Sequence, residues 1–152
     1  EAMTIADRLA VFMEGRIVQV GTPAEVFARP ASVAVAGFLG NPPMNLLPGS
    51  VSGGVLRVGT HAVPLEREAG ADGDVTLGVR PGAVQLADTG LPGRVYLVED
   101  LGDTTIVDIE VGERLVKMRT DRRPPIREGD DVRVAFAPGA IHLFARESGL
   151  RR

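Results

Sequence analysis

From Leu46 onward the chain breaks into short apolar segments divided by glycine, proline and aspartate, at the spacing of a β-barrel or sandwich, and helical periodicity does not return. The clearest segments alternate. In TTIVDIEV, Thr105, Val107, Ile109 and Val111 fall on one face, and Thr104, Ile106, Asp108 and Glu110 fall on the other. The first face is expected to be buried and the second mostly wet. GRVYLVE sets Val95 and Leu97 against Arg94 and Tyr96, and DVRVAF sets Val132, Val134 and Phe136 against Asp131 and Arg133. Pro138 and Gly139 turn the chain into a closing strand, IHLF. With VTLGV, LLPGSV and GVLRVG there are enough strands for a small closed or nearly closed barrel.

The first 45 residues read differently. RLAVFM and IVQV, parted by Glu14 and Gly15, form a β-hairpin with a tight turn. In the next segment Thr22 caps a short helix, Pro23 suits its first position, and Glu25 completes a capping box. That helix stops before Pro30. Ser32 starts a second, with Val35, Phe38 and Leu39 at helical spacing and Gly40 placed to end it. Asn41-Pro42-Pro43-Met44-Asn45 cannot continue a helix, because proline removes a donor and pushes its predecessor out of the helical region. The domain boundary is placed there, giving residues 1–45 and 46–152. The fold class expected is mainly β, a small barrel preceded by a hairpin and two short helices.

A formal charge of −3 with 44% apolar residues describes a soluble globular composition and gives no pull on nucleic acid. The absence of cysteine excludes disulfides and thiolate metal sites and fits a cytosolic protein. No apolar run approaches the roughly 20 residues of a spanning helix. The chain starts at Glu1, and Met3 lies inside what reads as a helix end, so a fragment of a longer protein is expected.

Motifs for catalysis are missing from the sequence. A phosphate-binding loop needs a glycine-rich run and a lysine followed by Ser or Thr, whereas the only lysine, Lys117, precedes Met118. The two histidines, His61 and His142, have no zinc-motif spacing, and His142 should face away from Ile141 and Leu143 as a surface or rim residue. Asp72 and Asp74, like Glu128, Asp130 and Asp131, flank glycines and read as polar turns before they read as acids or ligands. Arg119, Arg122, Arg123 and Arg127 resemble an anion patch, but acids interrupt the run, and a solvated proline-stiffened loop is the plainer reading. Only Tyr96 offers a plausible stacking aromatic. Met44, beside the boundary, reads as a packing residue. Arg80, before Pro81 at a strand end, is either a structural ion-pair member or a ligand or partner contact.

The stretch EAMTIADRLAVFMEGRIVQVGTPAEVFARPASVAVAGFLGNPPMN resembles, nearly position for position, the end of the nucleotide-binding domain of sugar-type ABC importer ATPases. AGFLGNPPMNLLPG looks like the hinge of the carbohydrate branch, which handles sugars or glycerol phosphates. LGVRPGAV, VEDLGDTTIV and IHLF are similar to motifs of that family's accessory TOBE domain, an OB-type barrel. Gly82, where the family commonly has Glu, and Ala145, where it has an acid, depart from the pattern. The resemblance implies that residues 1–45 are left over from an α/β ATPase domain whose Walker, signature and γ-phosphate-contacting residues lie upstream. It implies a parent subunit that uses ATP and Mg, dimerises, and works with transmembrane permease subunits at the inner face of the membrane. The fragment itself is expected to hold no catalytic residue, cofactor or metal and to act as a regulatory and dimerisation module. Two alternatives remain at this point: a barrel sensing a sugar or oxyanion through Arg80, and a nucleic-acid-binding OB domain, which the acidic balance and scarce aromatics disfavour.

Overall fold

The computed structural model describes residues 7–152, and the helix end expected around Met3 lies outside them. The hairpin forms as β1 (Leu9–Met13) and β2 (Arg16–Gly21). Helix α1 (Pro23–Ala28) starts with the capping box: Glu25 N donates to Thr22 Oγ1 at 3.2 Å, and Thr22 N donates to Glu25 Oε2 at 2.9 Å. Helix α2 (Val33–Phe38) starts with Val35 N donating to Ser32 Oγ at 3.3 Å. It stops at Gly40, whose φ of +93° would strain any residue with a Cβ. Six-residue helices are too short to persist on propensity alone. Both are held by packing, with Val26 and Val35 fully buried against Val11 and Leu39.

The rest is β structure: β3 (Asn45–Ser52), β4 (Val55–Val58), β5 (His61–Val63), β6 (Gly73–Val79), β7 (Val84–Ala87), β8 (Leu91–Asp100), β9 (Thr105–Val111), β10 (Arg114–Thr120), β11 (Asp131–Phe136) and β12 (His142–Ala145). They form two antiparallel five-stranded sheets, ordered β12-β6-β3-β4-β5 and β10-β9-β8-β11-β7. One core lies between the sheets, with Leu47, Leu77, Val95, Val107, Ile109 and Leu143 each 2% exposed or less. Burying each such side chain contributes about 1.5–3 kcal/mol.

The sheets meet where the first half of β3, paired with β6 on one edge, has no β4 partner on the other. There Asn45 Nδ2 donates to Lys117 O, and Lys117 N donates to Asn45 Oδ1, both at 2.8 Å. This side-chain amide stands in for a ladder rung and ties β3 to the outer strand β10. Asn45 is thus the first residue of β3 by pairing.

Two expectations about strand faces need correction. Residues 104–111 do not have a wet face at Asp108: its side chain is buried, Lys117 Nζ donates to its Oδ1 at 2.8 Å, and Thr104 and Ile106 are also buried. β9 is flanked by strands on both sides, and the segment carrying Pro42 and Pro43 lies over its outer face beside Ile106 and Lys117. In β8 the alternation breaks at Tyr96, where Val95 pairs with Ile109 and Leu97 with Asp108. This bulge makes Val98, not Leu97, follow Val95 into the core.

Candidate functional site at the helix–barrel seam

Arg80 follows β6, and Pro81 after it holds its backbone extended, at φ −67° and ψ 146°. The side chain thus leaves the barrel toward the helices. Its Nη1 donates to Leu39 O at 2.8 Å and its Nη2 to Phe27 O at 2.9 Å. The guanidinium lies 3.9 Å above the centroid of the Phe27 ring. Both carbonyls lie at helix C-terminal ends, where acceptors lack helical partners and partial negative charge collects. Burial lowers the Arg80 pKa, but arginine stays charged at any ordinary pH. Arg80 Nε is buried and has no hydrogen-bond partner among the described residues.

The C-terminal segment makes a second tie. Val33 N donates to Gly149 O at 2.8 Å, and Arg151 N donates to Ala31 O at 2.9 Å. Arg151 Nε donates to Pro30 O at 2.9 Å. Beneath these bonds Phe144 and Ala36, both fully buried, pack with Met44. Gly78 makes this packing possible, because a Cβ there would lie 2.5 Å from Met44 Sδ and 3.0 Å from Phe144 Cε2. The helices are therefore fastened to the barrel by two arginines, backbone bonds and an apolar plug.

His142 stands in this seam, half-buried on the face of β12 that it shares with Phe144. Arg151 Nη2 lies 3.0 Å from His142 Nδ1. Arginine only donates, so Nδ1 accepts and the neutral ring carries its proton on Nε2. Burial first, then the positive charges of Arg151, Arg80, Arg29 and Arg67, lower its pKa to about 4. The unfolded chain takes up this proton near pH 6.5, while the folded chain takes it up only near pH 4. This residue's contribution to stability is therefore fully present above pH 6.5 and is lost as the pH falls toward 4. His142→Gln is expected to remove about 1–2 kcal/mol of that acid-side loss, a figure discounted for the ring's exposure. Urea denaturation of both proteins at pH 4.5 and pH 7.5 measures the difference.

The other residues singled out in the sequence lie elsewhere. Asp72 Oδ1 accepts from Gly53 N at 3.0 Å, and Asp130 Oδ2 accepts from Arg127 N at 2.8 Å, so both brace turns. Asp131 pairs with Arg94 at 3.4 Å, and Arg123 with Asp100 at 3.7 Å, both at exposed positions. Tyr96 is exposed at the bulge, and His61 lies in β5 away from His142. Among the described residues no three His, Asp or Glu side chains gather as metal ligands, and no helix is long and apolar enough to cross a membrane. Arg151 is a seam residue that sequence reasoning missed. Its only signal was a run of two arginines at the end of the sequence.

Residues 77–144 match the TOBE domain family, and residues 45–86 match the CysA C-terminal regulatory domain family. The ABC transporter ATP-binding protein y4oS of Sinorhizobium fredii is 40% identical over 157 residues, covering 99% of this chain and 42% of that protein. The sn-glycerol-3-phosphate import ATP-binding protein UgpC of Cereibacter sphaeroides is 42% identical over 156 residues, covering 99% of this chain and 44% of that protein. The protein of the same name from Cupriavidus pinatubonensis is 38% identical, covering 99% and 46% respectively. The chain thus spans less than half the length of these relatives. Among solved structures, the cytoplasmic molybdate-binding protein ModG with molybdate bound is similar in fold, with a TM-score of 0.53 at 14% identity over 66% of this chain and 95% of that one.

Proposed function

Because this chain belongs to the ATP-binding proteins of sugar-type ABC importers, as a C-terminal part bearing the TOBE domain, we propose that it is the regulatory and dimerisation module of such a subunit. In this reading the parent hydrolyses ATP with Mg, engages transmembrane permease subunits at the inner face of the membrane, and imports a carbohydrate or glycerol phosphate. The chain supplies none of the hydrolytic chemistry.

The observation that carries the reading is the fastening of the barrel to α1 and α2. Arg80 holds the ends of both helices, and each charge-assisted bond in such a place contributes about 1.5–3 kcal/mol. A barrel fastened this way follows any rigid movement of the helices and resists movements that would open the seam. It can therefore restrain or report closure of the ATPase domains to which the helices belong.

The dimerisation half rests on the hairpin, which pairs with no third strand among the described residues. It exposes Phe12 (66%), Ile17 and Val20, with Phe38 (70%) on α2 also open. Apolar side chains on unpaired strands favour association. Sedimentation velocity is expected to show a concentration-dependent dimer, weakened by Phe12→Ser. A monomer at all concentrations rules out self-association through this chain.

A further inference from the structure

We propose that Gly149–Arg152 is a releasable strap that leaves its slot while the barrel stays folded, turning the two-ended attachment of α2 into a one-ended one. Such a strap works whether or not the barrel regulates an ATPase. Its slot is a gap one strand wide between β12 and residues 31–33. On the barrel side Ala145 N donates to Leu150 O at 2.8 Å, and Arg152 N donates to Leu143 O at 2.9 Å. On the helix side Val33 N donates to Gly149 O at 2.8 Å, and Arg151 N donates to Ala31 O at 2.9 Å. Both pairings are antiparallel, with Phe144 opposite Arg151 and Ser32 opposite Leu150. The strap is thus an added strand covering the edge that β12 presents at the end of its sheet.

The seat is particular in shape but weak in kind. Gly149 has a φ of +72°, and a Cβ there would lie 2.8 Å from Val33 Cγ2, so glycine alone fits against α2 without strain. Arg151 hooks Pro30 O and His142 Nδ1, and Arg152 Nη2 donates to Ala71 O in the segment between β5 and β6. An apolar anchor is missing. Leu150, the one apolar side chain in the strap, is 58% exposed, and no strap residue joins a core cluster. Apart from the Arg151 guanidinium over Phe144, every hold is a hydrogen bond, and water replaces such bonds at small net cost. Segments held this way open at free energies well below that of the whole fold.

Release would change how α2 is attached. Arg80 Nη1 holds Leu39 O at the far end of this helix, whereas the strap holds Pro30, Ala31 and Val33 at its entry. With the strap out, α2 keeps only its Arg80 end and the Phe144 plug. Ser148 and Leu150 also wall a groove of about 490 Å³ beside Met13, Ile17 and Val33, so release widens that groove.

The test is native-state hydrogen exchange of the chain across a urea series, read residue by residue by NMR. The amides of Val33, Ala145, Arg151 and Arg152 each lose a bond when the strap leaves. They are expected to share one opening free energy, with protection about tenfold or more below that of Val107 and Ile109 in β9, and with a shallower dependence on urea. Gly149→Ala should lower the protection of the same four amides by about tenfold, the cost of a left-handed conformation for a residue with a Cβ. Should that variant not fold, the urea series on the unaltered chain decides alone. Strap amides that match β9 in protection and urea dependence, that open independently of one another, or that are unaffected by a folded Gly149→Ala variant overturn the proposal.

Discussion

Replacing Phe144 with alanine is expected to lower the unfolding free energy by about 3–5 kcal/mol, because the ring is fully buried and its neighbours are fixed. Ala36 sits on a short helix held by its own capping bond, and Gly78 has no side chain to swing into the gap. Above the ring, 5.2 Å from its centroid, the Arg151 guanidinium would lose its aromatic contact. The damage should be directional. Chemical denaturation should show the full loss, and hydrogen exchange should show α2 losing protection before the barrel core around Ile109. A loss below about 1 kcal/mol would mean that the seam repacks and that helices and barrel are only loosely joined.

Lys117→Met is expected to cost about 3 kcal/mol. The side chain of Asp108 is 7% exposed and that of Lys117 is 37% exposed, so methionine leaves a nearly buried carboxylate without its cation. Partial access of water to the lysine position keeps the cost at the lower end of the range for broken buried pairs. The double variant Asp108→Asn/Lys117→Met removes the charge as well and should regain most of the loss, since two neutral groups have little desolvation left to oppose. Urea unfolding of both variants gives the comparison. If the single and double variants are equally stable, the pair contributes nothing through its charge.

The hairpin, both helices and their caps were legible because their signals are local: Thr22, Pro23, Glu25 and Ser32 act within one turn of chain. Seven of the ten barrel strands were legible for the same reason, β8, β9 and β11 by alternation and β3, β4, β6 and β12 as short apolar runs between turn residues. β5 and β7 were missed because three or four residues are too few to show a period. β10 was missed because Leu115 and Arg119 mask the inward pair Val116 and Met118. Asp108 read as wet because alternation reports the pleat and cannot report what lies over the outer face of a sheet. Arg80 was visible as the residue before Pro81, but its acceptors lie 41 and 53 residues upstream. Contacts at that separation are set by tertiary packing, and the bond from Arg151 Nε to Pro30 O, 121 residues apart, was hidden for the same reason.

The measurement that tests the central claim most directly is ATP hydrolysis by the subunit extended upstream to full length, with Arg80 intact and with Arg80→Met. Methionine keeps contact with the Phe27 ring but cannot bond the two helix carbonyls, so the barrel stays folded while the seam loosens. If the barrel restrains closure of the ATPase domains, the variant should hydrolyse ATP about fivefold faster or more without transported substrate, the size of an ordinary coupling free energy. An unchanged rate in a folded variant, or hydrolysis by the 152-residue chain on its own, would contradict the account.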